Sequence, residues 1–525
     1  MNKEKIIIYL VSFMVLFTSS CADLEETDPS NFSAGTFPSA SNPDTYRALA
    51  YTPLVTFRSF VDSQHGWMLV ESGTDEVVVP TRGGGWNDGG KWRQMHFHDW
   101  DANHAAVGTT WSDTYKGIVE CNTIIEFVEE AAAFDGQAEI IAQTRAMRAL
   151  FYSILVDLFG NVPLITSSDR SQISPPNNTR KEVFDFVEQE LLDILNDLPT
   201  VVDATTYGFP TKWMAHTLLA KIYLNAEVYT GTERWNDCIA QCNEVLAGPF
   251  GFNTWISGEA SDWPDLINPF MSMFTADNGP QVNSIIFAMP NDANNGTRQN
   301  FIRRFLYGEV LQQFKVPGSA WNGHTTQLEF FNKFDDPNDQ RSKMWLSGFQ
   351  IDINGDPLLN GAGEQIFVEP DLFAGGDFNV GGSTGSIRKG ARSIKYFPDR
   401  NSVGSLWSSN DYIWFRYADV VLMKGEAEAR QANNPELALG AINTLRAERG
   451  ATPLPSPITM DHLLDERGRE FAFEHWRRQD LIRFGKWEDS WGLNPGGHDP
   501  ALRLFPIPQN QLNVNPNLVQ NPGYE

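Results

Sequence analysis

Apolar residues recur at spacings of three and four over several long stretches of this chain. Residues 138–159, AEIIAQTRAMRALFYSILVDLF, place Ile140, Ile141, Met147, Leu150, Phe151, Ile154, Leu155 and Leu158 on one helical face. Gly160 then supplies a left-handed cap and Pro163 a stop. The same pattern predicts helices over 111–133, 180–197, 211–229 and 233–247, and again over 411–431, 435–449 and 460–484. Short breaks such as TGTER and QANNP join neighbours, which predicts antiparallel helix pairs. Stacked pairs of this length resemble a tetratricopeptide-like array, without its literal consensus.

Between about 250 and 410 the long helical period vanishes and Gly, Pro and Asn rise. SIIFAM at 284–289 reads as a strand. IDINGDPL at 351–358 carries Asn354-Gly355, a hairpin turn signal. Asp352, Asn354 and Asp356 alternate like calcium ligands, but the rest of such a loop is missing, so the hairpin is expected and no metal is assigned. The fold class expected is therefore mainly α, with antiparallel helix pairs at about 40–250 and 411–490. A loop-rich insert with short β-hairpins fills 250–410, and an extended tail 491–525. Residues 21–525 are read as one domain.

The first twenty residues read as an export signal: Lys3 and Lys5, an apolar run from Ile6 to Phe17, then Thr18, Ser19 and Ser20. Cys21 follows directly, as in the lipobox of bacterial lipoproteins, although Thr18 stands where leucine is usual. Cys21 is the expected lipidation site; the alternative is an ordinary cleaved leader. No later stretch is long and apolar enough to cross a membrane, so the rest is expected to be soluble and held at a surface.

Charge narrows the partners. Without Lys3, Lys5 and Glu4, the 40 basic and 66 acidic side chains become 38 and 65, a balance of −27. That opposes binding to nucleic acid, and to a polyanionic glycan unless a local basic patch overrules the average. Cys121, Cys238 and Cys242 remain; no histidine lies near the last two in WNDCIAQCNEVL, and all three read as small buried apolar residues.

Four segments resemble the SusD/RagB family of Bacteroidetes outer-membrane lipoproteins, and they fall in its order: QTRAMRALFYSILVDLFGNVPLIT, DYIWFRYADVVLMKGEAEA, ERGREFAFEHWRRQDLIRFGKW and LFPIPQNQLNVNPNLVQNPGY. The acidic CADLEE start resembles the signal that sends such lipoproteins to the cell surface. The resemblance covers nearly the whole chain after the leader. It implies a glycan-binding lipoprotein that loads oligosaccharide into a SusC-like TonB-dependent transporter. From the residues themselves, Arg416, Tyr417 and Asp419 are expected to make buried polar contacts. Glu466, Arg467, Arg469, Glu470 and Glu474 are spaced to pair along one helix. All are read as architecture.

Two aromatic loops are the candidate binding residues. TRGGGWNDGGKW, 81–92, offers Trp86 and Trp92 to sugar faces and Arg82, Asn87 and Asp88 to hydroxyls, with Gly83, Gly84 and Gly85 allowing close backbone approach. Its base, TDEVVVP, reads as extended. Either ring could instead plug the core, an even alternative for Trp92. VPGSAWNGHTT, 316–326, adds Trp321, Asn322 and a neutral His324; Tyr307 is a further candidate. Trp414 and Trp476 fall at apolar helical positions and are expected in the core. Several rings in one plane would suit an extended or gently curved neutral glucan such as laminarin or starch. No isolated carboxylate pair, nucleophile motif or phosphate loop supports catalysis, so no catalytic residue and no cofactor are assigned. A glycosidase and a scaffold that binds only protein are the rival readings.

Overall fold

The computed structural model describes residues 43–524 apart from 62–63, 170–173, 296–298, 353 and 403–406. The leader and Cys21 lie outside the described residues. The chain is mainly helical. Its scaffold helices are α1 (Thr52–Phe60), α2 (Ala105–Glu129), α3 (Gln137–Leu158), α4 (Arg180–Ile194), α5 (Lys212–Leu224), α6 (Trp235–Leu246), α7 (Tyr417–Gln431), α8 (Leu439–Glu448), α9 (Met460–Phe471) and α10 (Arg477–Arg483).

Sequence neighbours pack on one another: α2 on α3, α3 on α4, α5 on α6 and α7 on α8. Helix α6 also packs along α7, which joins the two helical halves across the insert. Local signals begin and end these helices. Thr179 and Glu182 form a reciprocal capping box on α4, and Gly160 takes φ +72° after α3. Gly117 of α2 lets Phe151 of α3 approach so closely that a Cβ would stand 2.2 Å from the ring. One apolar core runs from Leu54 to Ile507, so the extended C-terminal tail is sewn in: Asn521 Nδ2 donates to the Phe159 and Phe505 carbonyls, both at 2.8 Å. Cys121, Cys238 and Cys242 are buried and free.

Among the described residues the strands form three two-stranded sheets. β1 (Ile285–Met289) pairs antiparallel with β6 (Tyr412–Arg416); β2 (Trp345–Leu346) with β5 (Arg392–Ser393); and β3 (Gly348–Phe349) with β4 (Phe367–Val368). The SIIFAM strand and the IDINGDPL hairpin stand where the sequence puts them. In the hairpin Asp352 Oδ1 accepts the Asn354 and Asp356 backbone N–H groups, so its carboxylate closes a turn.

Two helix expectations are corrected. Residues 412–416 are strand β6, so Trp414 is buried on a strand. All five residues are buried, and a fully buried run carries no alternation that separates strand from helix. The stretch 460–484 breaks into α9 and α10, where Phe473 and His475 take φ of +64° and +66°. Their N–H groups donate to the buried carboxylates of Glu76 and Glu71, partners about four hundred positions away that no local pattern announces. Trp476 caps α10 and is buried as expected.

The architectural reading of the charged motif holds, with a different wiring. Arg469 pairs within α9 to Glu466 at 2.8 Å. The other contacts cross elements: Arg341 to Glu466 at 2.7 Å, Arg416 to Glu474 at 2.7 Å, Arg467 to Asp480 at 2.7 Å and to Asp419 at 3.0 Å. Burial pushes the Glu470 carboxyl upward, but Arg449, Arg416 and Arg341 outweigh it and hold it well below the usual carboxylate range. Tyr417 is half-buried, its ring edge-on to Phe252 at 5.2 Å.

Candidate functional site

The glycine-rich loop is fixed at its base. Val77, Val78 and Val79 are buried and extended, and Val78 exchanges both backbone hydrogen bonds with Thr325, at 2.9 and 3.0 Å. That bridge sets the two aromatic loops side by side. Arg82 and Gly85 then close a tight turn through a reciprocal pair of 3.0 Å bonds, and Gly83 at φ +63° passes against the backbone of Gly382.

Trp86 is half-buried and held on several sides. Its Nε1 donates to the Trp321 carbonyl at 2.8 Å. Its ring lies on Gly323, where a Cβ would stand 2.3 Å away. Trp92, Trp321 and His324 meet it edge-on at 5.8, 6.3 and 5.6 Å. A glycine-rich stretch thus carries a fixed ring because the ring itself is anchored as well as the base of the loop. Trp321 is also half-buried, with the Arg303 guanidinium 3.8 Å from its centroid.

Other candidates sit elsewhere than expected. Trp92 is 1% exposed and gives its Nε1 to Asp88 at 2.9 Å, so it supports Trp86 from below and presents no face outward. His324 is fully buried among Trp67, Trp92 and Phe305; burial and nearby Arg304 hold its pKa well below the usual value, so it is neutral, but neither ring nitrogen has a partner among the described residues. Tyr307 is buried near Arg392. Arg82 is buried too, its guanidinium donating to the Ser386 and Lys389 carbonyls at 2.9 and 3.0 Å, so its donors tie loops together. Sequence counts rings and donors; it does not say which are covered by segments far along the chain. Asn87 is exposed, Asp88 is partly engaged by Trp92 and Lys91, and Asn322 Oδ1 accepts from Arg392 at 2.7 Å.

Two hollows open beside these rings. The first, about 470 Å³, lies between Trp86, Arg82, Asp88, Asn322, Gln64 and Trp321. The second, about 560 Å³, runs on from the shared Gln64 and Trp321 to Arg58, Asn291, Gln299, Asn300 and Trp407. Together they make one groove with half-buried indoles along it. The Trp86 and Trp321 planes cross at 64°, so the rings form a corner rather than the single plane expected. Arg58, Gln64, Asn291, Gln299, Asn300 and Trp407 are additions the sequence reading missed. Trp407 had a signal, a tryptophan among small polar residues in SLWSSN, of the kind that singled out Trp86. Among the described residues no cluster could hold a metal ion, and no helix is long and apolar enough to cross a membrane.

Residues 283–524 match the family model described as the SusD family, and residues 68–224 match one described as starch-binding, associating with the outer membrane. The chain belongs to the SusD family. Starch-binding protein SusD of Bacteroides thetaiotaomicron is 26% identical over 432 residues, 73% of this chain and 72% of that protein. SusD-like protein P25 of Formosa agariphila is 24% identical across 100% of both chains. A SusD-superfamily structure from Parabacteroides distasonis superposes with a TM-score of 0.71 at 20% identity, over 92% of this chain and 99% of that one. A structure described as a laminarin-binding SusD-like protein gives 0.69 at 22%, over 92% and 100%. These likenesses show that the SusD fold holds the groove; which residues line it is this chain's own property.

Proposed function

We propose that this SusD-family chain captures an oligosaccharide in the groove from Trp86 past Trp321 to Trp407. It does so as a lipoprotein anchored through Cys21 on the outer membrane at the cell surface, and it passes the sugar to a SusC-like TonB-dependent transporter. The observation that carries the reading is the pinned pair of half-buried indoles, Trp86 and Trp321, on the wall of an open hollow. Sugars present C–H faces and a rim of hydroxyls, and a fixed ring stacks on a face with little ordering cost. Gln64 and Asp88 line the hollow with polar groups, and exposed Asn87 stands between Trp86 and Asp88 in the chain. A corner of rings fits a curved chain, and laminarin and starch, the neutral glucans expected from the sequence, are the first ligands to try.

The test is affinity electrophoresis of the chain without residues 1–21, which keeps every described residue, across neutral and anionic polysaccharides with Trp86→Ala alongside. Retardation by at least one polysaccharide, lost in the variant at unchanged melting temperature, is the expected result. No retardation by any glycan, or retardation indifferent to Trp86, would move the groove to a protein-only role. New reducing ends after incubation would instead make the chain a hydrolase.

A further inference from the structure

Among the described residues, the wall of the second hollow carries a charge opposite to the chain's average, from Arg58 and Arg304. The chain has 66 acidic and 40 basic side chains, yet no aspartate or glutamate lines this wall among the described residues. Arg58 stands half-buried in it. Its Nη2 donates to the Pro290 carbonyl at 2.9 Å, its Nε is buried without an acceptor, and it has no ion pair among the described residues. Arg303 lies against the ring of Trp321, which lines both hollows, with its own Nε unpartnered and no carboxylate beside it among the described residues. The carboxylates near the wall are engaged: Asp113 holds His65 Nδ1 at 2.8 Å, and Asp411 accepts Tyr207 Oη at 2.7 Å and the Asn291 N–H at 2.6 Å.

Hydrogen-bond polarity points the same way. Gln299 Oε1 accepts the Phe301 N–H at 3.0 Å, which fixes the amide's orientation and leaves Nε2 as a donor. That Nε2 has no partner among the described residues, on a residue only 8% exposed. Asn300 Oδ1 accepts from Arg304 Nε at 2.9 Å, so its NH₂ is the free half. Asn291 is the counterweight: its Nδ2 donates to the Asn410 carbonyl at 2.9 Å, and its Oδ1 is a buried acceptor without a partner. A hydroxyl suits Asn291. A wall whose described charged side chains are Arg58 and Arg304, and whose Gln299 and Asn300 amides keep their N–H halves, suits an acceptor that carries charge, because a charge-assisted hydrogen bond is about twice as strong as a neutral one. Asp411 interacts electrostatically with Arg58 without a direct ion pair, and an anion in the hollow would further lower the cost of the half-buried guanidinium.

We propose that the hollow between Trp321 and Trp407 receives an anionic substituent, a carboxylate or a sulfate, of a glycan whose neighbouring sugar lies against Trp321. The proposal rests on the glycan reading of the groove and replaces a neutral ligand with a charged one. The net charge of −26 works for selectivity here, since it opposes the approach of polyanions to the chain on average while this wall favours them.

The test compares laminarin, sulfated laminarin and polygalacturonate by calorimetric titration at low and high salt. It uses the chain without residues 1–21 and its Arg58→Gln and Arg303→Gln variants, each checked for an unchanged melting curve. At least one anionic probe should bind about tenfold or more tightly than laminarin at low salt, with the margin shrinking at high salt and in Arg58→Gln. Arg303→Gln, on the rim, is the second variant and should shrink the same margin if Arg58→Gln does not fold. A margin for polygalacturonate alone assigns a carboxylate; for sulfated laminarin alone, a sulfate. Anionic probes bound no tighter than Trp86-dependent laminarin would overturn this proposal and leave the glycan reading standing, as would a margin that survives Arg58→Gln. No binding of any probe would overturn both.

Discussion

Gly323→Ala tests whether the groove works through a pinned Trp86. A Cβ at residue 323 would stand 2.3 Å from Cζ2 and 2.4 Å from Cε2 of the Trp86 ring, where carbon contacts favour about 3.5–4 Å. The residue 323 backbone resists moving, because its N–H and that of His324 both donate to the Arg304 carbonyl, at 2.8 and 3.0 Å. The indole must therefore yield. Leaving its seat breaks the Nε1 bond to the Trp321 carbonyl, worth about 0.5–1.5 kcal/mol net, and loosens its edge contacts with Trp92 and His324. Overpacking of this kind costs about 1–3 kcal/mol of stability. If the displaced ring forfeits about 1.4 kcal/mol of sugar stacking, Kd rises about tenfold. Urea unfolding followed by tryptophan emission reads the first number, and calorimetric titration with the bound polysaccharide reads the second. Lost stability with wild-type affinity would refute the role of Trp86 as a platform. No change in either would refute the packing argument itself.

Two further outcomes follow from the buried polar groups. Burial pushes the Glu76 carboxyl up to about 8 and its neighbour Glu71 well above the usual range. Their folded pKa values exceed the unfolded ones, so their contribution is complete below the ordinary carboxylate pKa and is lost as pH rises through about 8. Glu76→Gln keeps an acceptor for the Phe473 N–H, and it should gain on the parent, in melting temperature, as pH is raised from about 5 to about 9; a constant offset would contradict the protonated pair. Arg416→Met takes one cation from Glu470, which keeps Arg449 and Arg341, and one from Glu474, which keeps Lys395, and it should cost about 1.5–3 kcal/mol, the worth of a hydrogen bond to a charged group, in urea unfolding at unchanged glycan affinity per folded molecule; a loss under about 1 kcal/mol would mean the network is solvated.

Much of the scaffold was legible because helix formation is decided over three to four residues at a time. Apolar spacing placed α2 to α6, Gly160 ended α3, and Asn354-Gly355 marked its hairpin. The same locality explains the errors. Nothing within 411–416 distinguishes a buried strand from a helix, and the break at 472–476 is imposed by Glu71 and Glu76 from the far end of the chain.

The site divides along the same line. Composition and spacing are local facts, and they already put Trp86 and Trp321 on glycine-flanked loops with polar neighbours. Long-range packing sets Trp86 facing the groove with Trp92 and His324 beneath it, and ties Arg82 to the carbonyls of residues 386 and 389. It alone brought Arg58, Gln299 and Trp407 to one wall. Exposure and hydrogen-bond satisfaction are set by whatever packs across the chain, and those partners stand up to about 350 positions apart, beyond the reach of any local pattern.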